Sequence, residues 1–346
     1  MSHPKHTITI DHRIIGDGHP CLIIAEIGIN HDGCLTRAHE MIEAAKQSGA
    51  DAVKFQTVDP DASYVPESPS YQAFSGKGFT ESQYRELIAH CRELNMIFFT
   101  TPGDFPSLRL CQHLQLPALK ISSGLFTNLP LILEATRLGI PLIISTGMSY
   151  LWEISRLVTT LESQHFFEFA LLHCVSTYPV AEEKLNLRAI EYLKTIFPYP
   201  IGYSNHCLHP LACSNAVAAG ACILEQHFTL DRSLPNADHS ISMEPDAFAV
   251  MVENVRSTEK MLGRADKRPT DEELQAKDNV RRYLVANCDI TKGQPFNSVN
   301  VGIKRLVQQT GLTPEFHEFV LGKRAGRDMN KNEPIRLYDL LEPEWH

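Results

Sequence analysis

Between residue 21 and about residue 261 one unit recurs along the chain: a short apolar run, a polar loop, then an amphipathic stretch. The apolar runs fall at 21–25, 52–55, 97–99, 118–121, 142–144, 170–172, 201–203 and 222–224. Helix-like segments follow, at 36–48, 81–95, 129–138, 208–219 and 245–262 among others. Continuous apolar strands alternating with helices mean a parallel sheet covered on both faces. Eight such units close into a (β/α)8 TIM barrel. The rival is an open doubly wound sheet, and no G-x-G-x-x-G follows the first run to support it. The expected fold is therefore α/β, a TIM barrel over residues 1–262.

What lies beyond the barrel reads differently. Residues 263–280 are charged and carry Pro269, which marks a linker. Residues 281–346 form short β-like pieces with a weak internal repeat: Asp289 to Phe296 resembles Asp328 to Ile335. A β-rich module of that size buries little core alone and is expected to dock on another surface. The 32 Lys and Arg against 41 Asp and Glu give a net charge of −9, which argues against broad nucleic-acid binding but leaves room for a local cationic pocket. The start of the chain is polar, with no apolar h-region, and no apolar run is long enough to span a bilayer. The nine Cys include no C-x-x-C pair, and Cys21, Cys174 and Cys222 sit in apolar runs as small hydrophobes. A reducing cytoplasmic compartment is the expectation.

Polar or ionisable residues follow every apolar run: Glu26; Lys54 and Gln56; Thr100 and Thr101; Lys120, Ser122 and Ser123; Ser145 and Thr146; His173; Ser204 and His206; Glu225 and His227. In a barrel these ends meet at one mouth, where barrel active sites lie. Lys54 and Lys120, ringed by the hydroxyls of Thr101, Ser122, Ser123, Ser145 and Ser204, suit a ligand bearing both phosphate and carboxylate. The plainer alternative is that each Lys neutralises Glu26 or Glu225. His206 and His227 follow strands seven and eight, and two neutral imidazoles there make an open site for a first-row divalent ion. A Glu26 of raised pKa suits proton transfer. Tyr178 is placed either to stack on a sugar or to pack on Pro179.

Taken together, AEIGINHDG (25–33), AVKFQ (52–56), TTP (100–102), LKISSG (119–124), ISTGM (144–148), LLHCVSTYP (171–179), GYSNHC (202–207), LEQHFT (224–229) and DHSISMEP (238–245) resemble the sialic acid synthase family. The C-terminal repeat resembles its antifreeze-like SAF module. The resemblance implies an enzyme that condenses phosphoenolpyruvate with the open-chain aldehyde of an N-acylated amino sugar, giving a nonulosonic acid and phosphate. By motif it assigns Lys54, Thr101, Lys120, Ser123, Ser145, Ser176 and Ser204 to phosphoenolpyruvate. It assigns His206 and His227 to a divalent ion, manganese above all (magnesium or cobalt as alternatives), and Glu26 to proton transfer. Tyr178, Asp238 and Arg305 would face the sugar, with Arg305 delivered by a partner chain in a domain-swapped homodimer.

Two departures stand out. Leu125 occupies a place where the family usually carries Glu, so a deoxygenated acceptor enters beside the default N-acetylmannosamine, as in legionaminic and pseudaminic acid synthases. The stretch from Leu306 to Gly311 is longer than the usual turn after Arg305. More remote readings are a pyruvate-dependent metal aldolase, which would release no phosphate, and a catalytically silent sugar-binding protein.

Overall fold

The computed structural model describes residues 6–235, 238–307 and 310–341. Two compact units divide at Gly263/Arg264. The first opens with a hairpin, β1 (Ile8–Ile10) and β2 (Arg13–Ile15), followed by eight barrel strands. These are β3 (Leu22–Gly28), β4 (Ala52–Thr57), β5 (Ile97–Pro102), β6 (Leu119–Ile121), β7 (Leu142–Ser145), β8 (Phe169–Cys174), β9 (Ile201–Asn205) and β10 (Ile223–His227). All pair in parallel in chain order, and β10 closes on β3 with His227 opposite Glu26. The expected barrel is present, strand for strand.

Alternation along each strand sorts the barrel's two layers. Ile23, Ala25, Val53, Phe55, Phe98, Leu119, Ile144, Leu171 and Leu224 face outward and pack on the helices. Leu22, Ile24, Ala52, Ile97, Phe99, Ala118, Ile143, Ala170, Leu172 and Ile223 face inward and form a separate interior cluster. That cluster also takes in Ile8, Ile10 and Ile15, so the hairpin plugs the N-terminal end of the barrel. Each fully buried isoleucine there contributes roughly 1.5–3 kcal/mol. Nothing in the polar start of the sequence announced this plug. The barrel can therefore open only at the strands' C-terminal ends.

The second unit explains the internal repeat. It contains β11 (Tyr283–Ala286), β12 (Val301–Lys304), β13 (Arg324–Ala325) and β14 (Leu340–Leu341) around a small core with Ile290, Phe296, Met329 and Ile335. The two repeats clasp reciprocally: Asp289 accepts from the Lys331 amide at 2.8 Å and Asp328 from the Lys292 amide at 2.7 Å, while Ile290 and Met329 exchange backbone hydrogen bonds. The segment expected as a linker carries a helix, Asp271–Val280, started by a Thr270/Glu273 capping box. Gln308 and Gln309, in the lengthened stretch after Arg305, lie outside the described residues. Among the described residues no helix is long and apolar enough to cross a membrane.

Candidate active site

One pleat above the apolar interior, the inward-facing residues change character. Glu26 follows Ile24, Lys54 follows Ala52, Thr101 follows Phe99, Lys120 follows Ala118, Ser145 follows Ile143, and Glu225 follows Ile223. All six line one cleft of about 650 Å³. Ser123, Ser176, Tyr178, Ser204, His206, His227 and Asp238 line it too. Every site residue expected in the first unit is thus brought together. Arg305 belongs to the second unit, where it is exposed just beyond β12.

Parity also removes one residue from the mouth and adds another. His173, counted above among the strand ends, points outward and bonds the Leu185 carbonyl at 2.8 Å. Its neighbour Cys174, read as a small core hydrophobe, lines the cleft, with Sγ 3.9 Å from His206 Nδ1. Counting by twos from Ala170 and Leu172 would have found it. Residues Ser63, Tyr64 and Phe74 were also not singled out. Ser63 and Phe74 end two short helices, Pro60–Ser63 and Pro69–Phe74, and Tyr64 follows the first of them, in the loop after β4 that walls one side of the cleft.

The floor is a four-charge network. Lys54 Nζ lies 2.8 Å from Glu26 and 3.7 Å from Glu225, and donates to Thr101 Oγ1 at 3.0 Å. Lys120 Nζ donates to Ser145 Oγ at 2.6 Å and sits 3.9 Å from Glu225. Ser204 Oγ donates to Glu225 at 2.9 Å, and Gln56 donates to Glu26 at 2.8 Å. The ion pairs weighed as the plainer alternative therefore exist, but inside the cleft. Burial works against ionising Glu225, yet the ammonium groups of Lys120 and Lys54 outweigh it and hold that carboxyl down at about 2. Glu26 keeps less compensation: burial, with Glu225 nearby, pushes it up to about 7 despite Lys54. Burial lowers Lys120 to about 8. Near neutrality the floor holds two ammonium groups against fewer than two full carboxylates, which favours an anion.

Above the floor stand the imidazoles of His206 and His227, centroids 5.4 Å apart, with the Tyr178 ring 4.2 Å from His206. The contact of His206 Nδ1 with the Val175 carbonyl at 2.9 Å makes Nδ1 the donor, so the neutral ring carries its lone pair on Nε2; burial works against protonating that ring, yet Cys174 and the Val175 carbonyl outweigh it and raise its pKa. His227 Nδ1 is buried with no hydrogen-bond partner. Burial holds His227 down to about 4, so it is neutral at physiological pH. Two imidazole nitrogens could hold a first-row divalent ion only with water or substrate oxygens completing its shell, because among the described residues no group of three or more His, Cys, Asp or Glu side chains gathers to hold one.

Burial likewise holds His31 down to about 4. Unfolded, both histidines titrate near 6.5, so from about pH 4 to 6.5 the unfolded chain binds more protons and stability rises with pH. Each contributes roughly 1.4 kcal/mol per pH unit. Glu26 acts in the opposite sense over much of this window, because its folded pKa is raised. The metal-free chain is expected to melt at rising temperature across the window, and Glu26→Gln to steepen that rise. A flat profile in both proteins would rule out the buried neutral histidines.

Residues 41–267 match the NeuB family and residues 281–341 the SAF domain. The chain is similar to an uncharacterised protein of Methanocaldococcus jannaschii, 37% identical over 96% of this chain and 98% of the other. It is also similar to the N,N'-diacetyllegionaminic acid synthase of Legionella pneumophila, 36% identical over 94% and 96% respectively. Among solved structures, the N-acetylneuraminic acid synthetase of Leptospira borgpetersenii superposes with a TM-score of 0.76 at 34% identity, covering 80% of this chain and 97% of that one.

Proposed function

The chain belongs to the NeuB family, and from that premise we propose that it condenses phosphoenolpyruvate with an open-chain N-acylated amino sugar to give a nonulosonic acid and phosphate. The observation that carries this reading is the convergence of Lys54 and Lys120 with His206 and His227 on one cleft. In the reaction, carbon 3 of phosphoenolpyruvate attacks the aldehyde carbon and forms the new C–C bond. Water adds at carbon 2, the C2–O bond breaks, and phosphate departs. Both ends of the sequence need stabilised negative charge.

Lys54, Lys120 and the hydroxyls of Thr101, Ser123, Ser145, Ser176 and Ser204 would grip the phosphate and carboxylate of phosphoenolpyruvate. Glu26, pushed up to about 7, can both give a proton to the aldehyde oxygen and take one from the attacking water. Tyr178 and Asp238 would face the sugar. His206 and His227 would hold a divalent ion, manganese first, which when bound polarises the aldehyde oxygen. The reading also carries a homodimer, with Arg305 assigned to the N-acyl group of the acceptor, and sedimentation tests the oligomer directly. The nine cysteines are free thiols, which suits a cytoplasmic setting.

N-acetylmannosamine is the first acceptor to try. Leu125 favours a second reading. It lines the cleft together with Ile29, Val58, Phe74 and Met148. An apolar side chain cannot accept hydrogen bonds from sugar hydroxyls, which supports a 6-deoxy di-N-acetylated hexose; the Legionella relative is named for a di-N-acetylated product, N,N'-diacetyllegionaminic acid. The test is an acceptor panel with phosphoenolpyruvate and manganese, following phosphate release. Phosphate from none of these sugars would overturn the condensation, and pyruvate-dependent turnover without phosphate would replace it with an aldolase. Leu125→Glu is expected to raise kcat/KM for N-acetylmannosamine over the deoxy acceptor by about tenfold. An unchanged ratio would remove Leu125 from acceptor choice.

A further inference from the structure

Three loops at the mouth converge on one carboxylate outside the cleft. Asp32, in the loop after β3, has its Oδ1 3.1 Å from Lys77 Nζ, which belongs to the loop after β4. Its Oδ2 lies 3.4 Å from His239 Nε2, on the loop after β10, and 2.5 Å from Arg37 at the start of the helix Leu35–Gln47. None of these partners lines the cleft. His239 is buried, and its other nitrogen is held by Thr229 Oγ1 at 2.6 Å.

What these loops carry does line the cleft. The loop after β10 carries Asp238, immediately before His239, and the loop after β4 carries Ser63, Tyr64 and Phe74. Backbone geometry brings the first two loops together independently of charge. Asp32 and Gly33 are both left-handed, at φ 51° and 73°, and a side chain on Gly33 would meet the Gly76 carbonyl oxygen at 2.6 Å. Asn30 secures the third loop, donating to the Phe228 carbonyl at 2.9 Å and to Ser242 Oγ at 3.0 Å. Ser242 Oγ in turn donates to the Asp238 carbonyl at 2.5 Å.

We infer that Asp32 is a positioning residue that ties the loops after β3, β4 and β10 into one arrangement, setting Asp238 and the Tyr64–Phe74 wall against the acceptor rather than against phosphoenolpyruvate. The tie touches neither lysine of the floor. Its loss should therefore loosen the acceptor side alone. The assignment of that side to a sugar rests on the proposed function, whereas the tie itself does not.

The test uses the full chain as wild type, Asp32→Asn and Lys77→Met. Asn tolerates the left-handed turn and keeps the size of Asp, so Asp32→Asn removes charge without removing the turn. Without substrates, hydrogen exchange is expected to quicken about tenfold at 60–80, 229–235 and 238–243 in Asp32→Asn, and at 60–80 alone in Lys77→Met, with the barrel strands unchanged. With an acceptor that wild type turns over, Asp32→Asn is expected to raise the acceptor KM about tenfold while the phosphoenolpyruvate KM stays within about twofold. Wild-type exchange at 229–235 and 238–243, a rise spread evenly over the barrel strands, or equal changes in both KM values would overturn the tie. If wild type turns over no acceptor, the proposed reaction fails and the exchange pattern alone decides the tie.

Discussion

Alanine at His227 is expected to lower turnover by at least about a thousandfold while leaving the barrel folded. His227 sits at the end of β10, buried, with Nδ1 lacking a partner and the His206 ring 5.4 Å away. A buried nitrogen with no partner costs roughly 1–3 kcal/mol in desolvation. The alanine variant sheds that cost, so its melting temperature should hold or rise when no metal is present. On the proposed function it would lose the second nitrogen for a divalent ion, and with it charge stabilisation on the aldehyde oxygen, a contribution of several kcal/mol. Chelator-treated wild type should match the variant, and added manganese should rescue wild type alone. Full activity in metal-stripped wild type would remove the ion from the reaction. A variant that binds manganese like wild type would remove His227 as its ligand.

Methionine at Lys54 is expected to damage both stability and activity. Its ammonium is the shared partner of two buried carboxylates, 2.8 Å from Glu26 and 3.7 Å from Glu225. Removing one member of a buried ion network strands the others, typically at about 3–5 kcal/mol. Part of this is relieved when Glu26, already pushed up to about 7, takes a proton. The Lys54→Met, Glu26→Gln double variant should therefore recover much of the lost stability in urea unfolding. It should recover no activity, because the cation assigned to phosphoenolpyruvate is still missing; a loss of kcat/KM of at least about a hundredfold is expected. A double variant as unstable as the single one would refute the coupling between Lys54 and Glu26. A double variant as active as wild type would refute the role of Lys54 in binding.

Much of this site could be read before any coordinates. The apolar runs placed all eight barrel strands, and counting by twos along each run identifies which end residues look inward: Glu26 after Ile24, Lys54 after Ala52, Glu225 after Ile223. The same counting, applied strictly, excludes His173 and admits Cys174. Other features carried no local signal. The Ile8–Ile15 hairpin reads as an ordinary polar terminus until the barrel floor it fills is known. Ser63, Tyr64 and Phe74 belong to a loop whose composition says only that it is exposed.

The division has a physical cause. Strand, helix and facing are decided within a few residues, because backbone hydrogen bonding and side-chain alternation are short-ranged, and the sequence alone carries them. Which ammonium neutralises which carboxylate is decided by separations of a few ångströms between strands distant in the chain. Only barrel closure, with β10 beside β3, set Lys54 between Glu26 and Glu225 and left one carboxyl near 2 and the other near 7. Those opposite shifts depend on burial and distance together, and neither exists until the chain has folded.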